Sequence, residues 1–142
     1  MSKLIFINLP VADLPRAMAF YEAVGATNEP RFTDETAACM VFSDIIHVML
    51  LTHDKFRQFT PKPIASRDTT EVLIALSADD RAGVDAMVDA AGSSGGKADA
   101  SARQDYGWMY SRSFEDPDGH IWEVVWMDVD AAMQANLQTE TA

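Results

Sequence analysis

The chain has 142 residues, 48% of them hydrophobic, enough for one domain to bury a core without disulfides or a structural metal. Its net charge of −11, from 22 acidic against 11 basic residues, repels phosphate backbones and anionic lipid, so nucleic acid and membrane surfaces are excluded as expected partners. A single cysteine, Cys39, rules out an intrachain disulfide, and its place inside AACMVF marks a small core residue. No run approaches a membrane span and the N-terminus carries one lysine before a short apolar stretch, so a cytoplasmic location is expected.

Residues 4–9 (LIFINL) form an apolar, β-branched run ending at Pro10, the pattern of a strand buried on at least one face. A helix follows: Asp13 is a good N-cap, Pro15 sits in the first turn, Ala17, Phe20, Tyr21 and Val24 recur at helical spacing, and Gly25 ends it. A short strand near 27–32 and two strands at 36–43 and 45–52, joined at Ser43-Asp44, complete a βαβββ unit. Residues 54–70 begin with a short amphipathic turn and become rich in Pro, Ser and Thr, as a linker does.

The order then restarts. EVLIALS (71–77) is a strand, DDRAGVDAMVDAAG (79–92) a helix with a terminal glycine, SSGG a turn, and 97–103, 108–115 and 120–127 further strands. A shift of 67 positions lays Ala17, Phe20, Tyr21, Val24 and Gly25 on Val84, Met87, Val88, Ala91 and Gly92. Two modules, about 3–53 and 71–128, therefore make up a single domain spanning 1–142, with a helix-permissive tail at 129–142.

Two end motifs sharpen this reading. NLPVADLPRAMAFY (8–21) and the turn Asp116-Pro117-Asp118-Gly119 before a strand carrying Glu123 together resemble the vicinal-oxygen-chelate group, which includes glyoxalase I, bleomycin-resistance proteins and extradiol dioxygenases. The resemblance covers essentially the whole chain. It implies an α+β fold of two βαβββ modules forming a half-open, mixed-sheet barrel around a cavity, and usually a homodimer. Its functional implication is weaker, because one fold hosts several chemistries.

In metalloenzyme members of that group, one residue from each of four strands holds a divalent ion. The corresponding positions here are Phe6, His47, Leu73 and Glu123, and a phenylalanine and a leucine coordinate nothing. Glu71, two residues before Leu73 and so on the same strand face, is placed to join His47 and Glu123 in a one-histidine, two-carboxylate site. Asn8 shares the face of Phe6. Such a site would suit Mn²⁺, Fe²⁺, Ni²⁺ or Zn²⁺, with Glu123 as a ligand and base.

Two function classes remain open. One is a protein that binds a small molecule in the barrel cavity beside a degenerate metal site, as bleomycin-resistance proteins bind their ligand. The other is a divalent-metal-dependent lyase, isomerase or dioxygenase acting on a substrate with vicinal oxygens. In either case Phe6, Asn8, Leu73, Tyr106, Trp108 and Tyr110 are the expected cavity wall, since aromatic walls with a few polar groups are what small-molecule pockets use. Trp122 and Trp126, alternating with Glu123, are expected beneath the helices or at a dimer contact. Lys97, Arg103 and Arg112 read as solvated surface, and His53 and His120 as exposed turn residues.

Overall fold

A computed structural model describes residues 3–141, with side chains through 135; Met1, Ser2 and Ala142 lie outside the described residues. The first module runs β1 (Ile5–Val11), α1 (Leu14–Ala23), β2 (Thr27–Glu29), a 3₁₀ turn (Pro30–Phe32), β3 (Ala37–Val41) and β4 (Ile46–Thr52). A one-turn helix, α2 (His53–Arg57), opens the linker. The second module runs β5 (Leu73–Ser77), α3 (Arg81–Ser93), β6 (Lys97–Ala98), β7 (Gln104–Asp105), β8 (Met109–Glu115) and β9 (Ile121–Met127), and α4 (Val129–Thr141) ends it. No helix among the described residues is long and apolar enough to cross a membrane.

Each module makes one mixed sheet, ordered β1-β4-β3-β2 and β5-β9-β8-β6, with β7 also on β8; no barrel closes. In both, the first and last long strands pair in parallel and the rest antiparallel. The helix starts, Leu14 and Arg81, are 67 residues apart, the shift that the apolar pattern gives. Asp13 and Asp80 cap them alike, each carboxylate accepting from a backbone N–H three residues on.

Alternation along the strands decides which face is covered. Leu9 and Val11 of β1, Val48 and Leu50 of β4, and Phe114, Trp122 and Val124 of β8 and β9 turn toward the helices and join Ala17, Phe20, Tyr21, Val84 and Val88 in one continuous core. Its centre is aromatic: Phe114 and Trp122 stack with centroids 6.3 Å apart, and Tyr21 meets Trp122 edge-on at 5.9 Å. The tryptophan reading therefore holds, for Trp122 lies fully buried beneath the helices and Trp126 packs against the same core.

The sequence reading overextends two strands. Residues 97–103 hold only the two-residue β6, because Asp99 adopts a left-handed φ of 55° that ends the ladder and aims its carboxylate at Arg112. At 71–77 the strand starts at Leu73, since Glu71 is drawn away to His120. A close approach at Gly96 seals the seam between modules: a Cβ there would sit on the Glu115 carbonyl oxygen and 2.6 Å from the Phe20 ring. Gly96→Ala should therefore destabilise the protein by roughly 1–3 kcal/mol, read as a lower urea midpoint with an unchanged slope.

Candidate functional site

The turn Asp116–Gly119 docks onto the junction between β1 and α1. The Asp116 carboxylate is fully buried; its Oδ2 accepts the Tyr21 hydroxyl at 2.6 Å, and its Oδ1 accepts the backbone N–H groups of Asp118 and His120, both at 2.9 Å. Trp122 in turn donates its indole N–H to the Tyr21 oxygen at 3.0 Å. Asp118 Oδ1 accepts from the Ala12 N–H at 2.9 Å, and Gly119 holds the positive φ of 90° that closes the turn. The residues that carry the family resemblance at both ends of the chain are thus in mutual contact.

His120 was read as an exposed turn residue, and the structure overturns this. Its ring is buried, with Nε2 2.7 Å from the Pro10 carbonyl oxygen and Nδ1 2.6 Å from Glu71 Oε1. A carbonyl only accepts, so Nε2 carries a proton; the carboxylate on the other side asks for a second one, which makes the ring an imidazolium. Burial opposes that charge, but Asp116, the Pro10 carbonyl and Glu71 outweigh it and raise the His120 pKa above its ordinary value. Burial also pushes the Asp116 carboxyl up, against the pull of His120 and Tyr21. The Tyr21 hydroxyl is raised well above its usual range by burial and by Asp116.

The face of the first sheet turned away from the helices is open. It carries a cleft of about 610 Å³ with Leu4, Phe6, Phe32, Val41 and Met49 as its apolar wall, Cys39 in its floor, and the Glu29–Arg31 ion pair at its rim. Burial raises the Cys39 thiol pKa, which suits the core role expected for it. The His47 ring stacks on Phe6 at 4.7 Å and 20°, and its Nδ1 is buried with no hydrogen-bond partner among the described residues.

The expected metal ligands do not come together. His47 lies on the first sheet and Glu123 on the second, Glu71 is held by His120, and among the described residues no three His, Cys, Asp or Glu side chains are grouped to hold an ion. The ladder registers also separate the two anchors. Phe6 pairs with His47, whereas Leu73 pairs with Ile121 and Ala75 with Glu123, so the counterpart of His47 is Ile121 and that of Glu123 is Met49. Glu123 remains half-buried on the face of the second sheet opposite Trp122 and Val124.

The remaining wall residues divide. Asn8 lines a smaller pocket with Glu71 and His120, its amide donating to the Phe6 carbonyl, and Leu73 stands 58% exposed at the sheet edge. Tyr106 and Trp108 stack on each other at 5.8 Å about the Gly107 turn, and neither lines the large cleft. Tyr110 faces the helix side, where its hydroxyl donates to Asp85 of α3 at 2.7 Å. Beside it Arg112, read as solvated, is 3% exposed and pairs with Asp99 through two 2.9 Å hydrogen bonds, with Asp85 at 2.9 Å and Asp89 at 3.1 Å. Lys97 is exposed, and Arg103 is partly exposed beside Asp99. The signal for Tyr110 and Arg112 was present: both share a strand face with Phe114, opposite Trp122 on β9.

Comparison with known proteins follows this geometry. A model of the Glyoxalase/Bleomycin resistance protein/Dioxygenase superfamily matches residues 3–124. No curated protein matches the chain. Solved structures do: a hypothetical protein from S. aureus (23% identity, TM-score 0.73, 89% of this chain and 95% of that one) and a glyoxalase/bleomycin resistance protein/dioxygenase family enzyme from Burkholderia phytofirmans PsJN (16%, 0.72, 89% and 99%). The fosfomycin resistance protein FosX from Mesorhizobium loti also matches (19%, 0.68, 94% and 98%). At these identities the likeness establishes the fold alone.

Two measurements follow from the buried turn. Tyr21→Phe deletes the hydroxyl that serves both Asp116 and Trp122 and should cost about 1–3 kcal/mol in chemical denaturation. Because the folded pKa of His120 is raised above 6.5, its contribution is complete below pH 6.5 and is lost as pH rises through the folded value. Urea stability of the wild type should therefore fall from pH 6 to pH 9 more steeply than that of His120→Gln; parallel profiles would refute the assignment.

Proposed function

Since the chain belongs to the Glyoxalase/Bleomycin resistance protein/Dioxygenase superfamily, we propose that it binds a small, largely apolar or aromatic molecule in the cleft on its first sheet. The cleft itself carries this reading: about 610 Å³ of open space walled by Leu4, Phe6, Phe32 and Met49, within the range that small ligands occupy. His47 supplies the polar anchor. Its buried Nδ1 lacks a partner, which costs on the order of 1–3 kcal/mol, and a ligand group entering beside Phe6 would relieve that cost.

Homodimerisation belongs to the same proposal. Strands β1 and β5 are edge strands, and both expose apolar side chains, Leu4, Ile5 and Phe6 on one and Leu73 with the adjacent Val72 on the other. Edges of that kind are normally covered. A second copy would cover them and narrow the cleft.

A divalent-metal-dependent lyase, isomerase or dioxygenase is the alternative, but the donor set does not fit a first-row ion. His47 and Glu123 sit at inequivalent register positions of their two sheets, Phe6 and Leu73 fill two ligand positions with side chains that coordinate nothing, and Glu71 already serves a buried imidazolium. First-row metals require a fuller set of converging ligands.

The purified chain is expected to carry less than one equivalent of transition metal, to run near twice 15.6 kDa in light scattering, and to shift its Met49 methyl resonance with aromatic fragments. Phe6→Asp should weaken that binding at least tenfold. Stoichiometric metal lost on Glu123→Gln substitution would sink this reading and establish the alternative.

A further inference from the structure

Five of the seven arginines meet a carboxylate: Arg31 with Glu29, Arg57 with Asp54, Arg81 with Asp105, Arg103 with Asp99, and Arg112 with Asp85. In a chain of net charge −11 that is the natural state of a guanidinium, since carboxylates outnumber cations two to one. Among the described residues the two exceptions are Arg16 and Arg67, and they line the same pocket. It measures about 270 Å³, lies over the turn at Pro117-Asp118 on the outside of the β1–α1 junction, and has His53 and His120 as further basic groups in its wall.

The two guanidiniums are held in different ways. Arg67 is pinned: one N–H donates to the Pro117 carbonyl, and its stem and backbone press so closely on Gly119 that a Cβ there would meet Arg67 Cγ at 2.9 Å. Its other donors have no partner among the described residues. Arg16 stands in the first turn of α1, where Asp13 accepts its backbone N–H but nothing engages its side chain. The His53 ring is likewise without a partner. Asp118 is the one carboxylate on the wall; its Oδ1 is committed to Ala12, and its Oδ2 is buried away from any hydrogen-bond donor, so it neutralises neither guanidinium by contact.

We propose that this pocket is a second ligand site, distinct from the cleft on the first sheet, which takes the phosphate or carboxylate group of a small metabolite. Guanidinium forks match oxyanion geometry two bonds at a time, and a ligand between Arg16 and Arg67 gains charge-assisted hydrogen bonds from both modules, because Arg16 belongs to α1 and Arg67 packs on the turn before β9. The volume admits a phosphoryl or carboxyl group together with the body of a small metabolite. With two guanidiniums that meet no carboxylate in its wall, charge selects the occupant.

The test is an amide NMR titration of the full chain with inorganic phosphate, and separately with acetate, at ionic strength held constant with sodium chloride. Saturable shifts confined to Ala12, Arg16, His53, Arg67 and Gly119 are expected, with affinity at least tenfold weaker in Arg16→Gln/Arg67→Gln and unchanged in Arg31→Gln. Should the double variant fold poorly, Arg16→Gln alone, at an exposed helix position, must still weaken binding and Arg16→Lys must restore part of it. Saturation by phosphate alone assigns a phosphoryl ligand; saturation by acetate as well assigns a carboxylate. Shifts that match the chloride control, or that survive the double variant, overturn the site, whatever becomes of the reading of the main cleft.

Discussion

The buried carboxylate of Asp116 is the constraint on which the two modules depend. It lies at zero exposure with both oxygens hydrogen-bonded: Oδ2 to Tyr21 of the first module, and Oδ1 to the backbone of its own turn in the second. An ionised group in that place is tolerable only while those donors stay, because an unpaired buried charge costs far more than any one of its hydrogen bonds supplies. The turn therefore cannot separate from α1 without exposing Asp116, Tyr21 and Trp122 together. Residues of both βαβββ units share one buried core, and this polar lock is set within its aromatic centre.

That lock also settles the fate of the carboxylates on the open faces. Glu71, expected on the face of the strand at 71–77, lies just ahead of that strand and points to His120, whose protonation Asp116 also favours. A buried imidazolium whose other nitrogen is tied to the Pro10 carbonyl holds a glutamate more firmly than solvent does. With Glu71 committed, His47 is left to stack on Phe6 and Glu123 to stand alone on the other sheet. The contact that buries His120 thus removes the carboxylate that was expected to stand in for the missing ligand at Leu73.

Much of this was legible in the sequence, and what was not has physical causes. The helix start at Leu14 with its Asp13 cap, the existence of the second helix, the order of strands along the chain and the burial of Trp122 follow from periodicity and capping chemistry, which are local, whereas the second helix begins at Arg81 behind an Asp80 cap and not at residue 79. His120 was not legible, because its partners, Pro10 and Glu71, lie 110 and 49 residues away and nothing nearby marks it as buried. Tyr110 and Arg112 were misplaced for a different reason: aromatic and charged residues near a proposed cavity were read by type, although alternation with Phe114 already put them on the helix side. The pairing of His47 with Glu123 failed because motif spacing does not fix ladder register when the connecting loops of two modules differ in length.

Phe6 serves both the proposed cleft, where it stacks on His47, and the exposed edge of the first sheet, where it stands 52% accessible. Apolar edges of this kind persist only when something covers them. On the proposed reading, a second copy that covers Leu4, Ile5 and Phe6 also closes the cleft's near wall, and a ligand that fills the cleft buries part of the surface that association would otherwise bury. Occupancy and self-association then share a residue and a portion of the same hydrophobic area, so each must alter the other's equilibrium: positively where the ligand bridges the copies, negatively where it displaces the Phe6 ring that the partner would rest on.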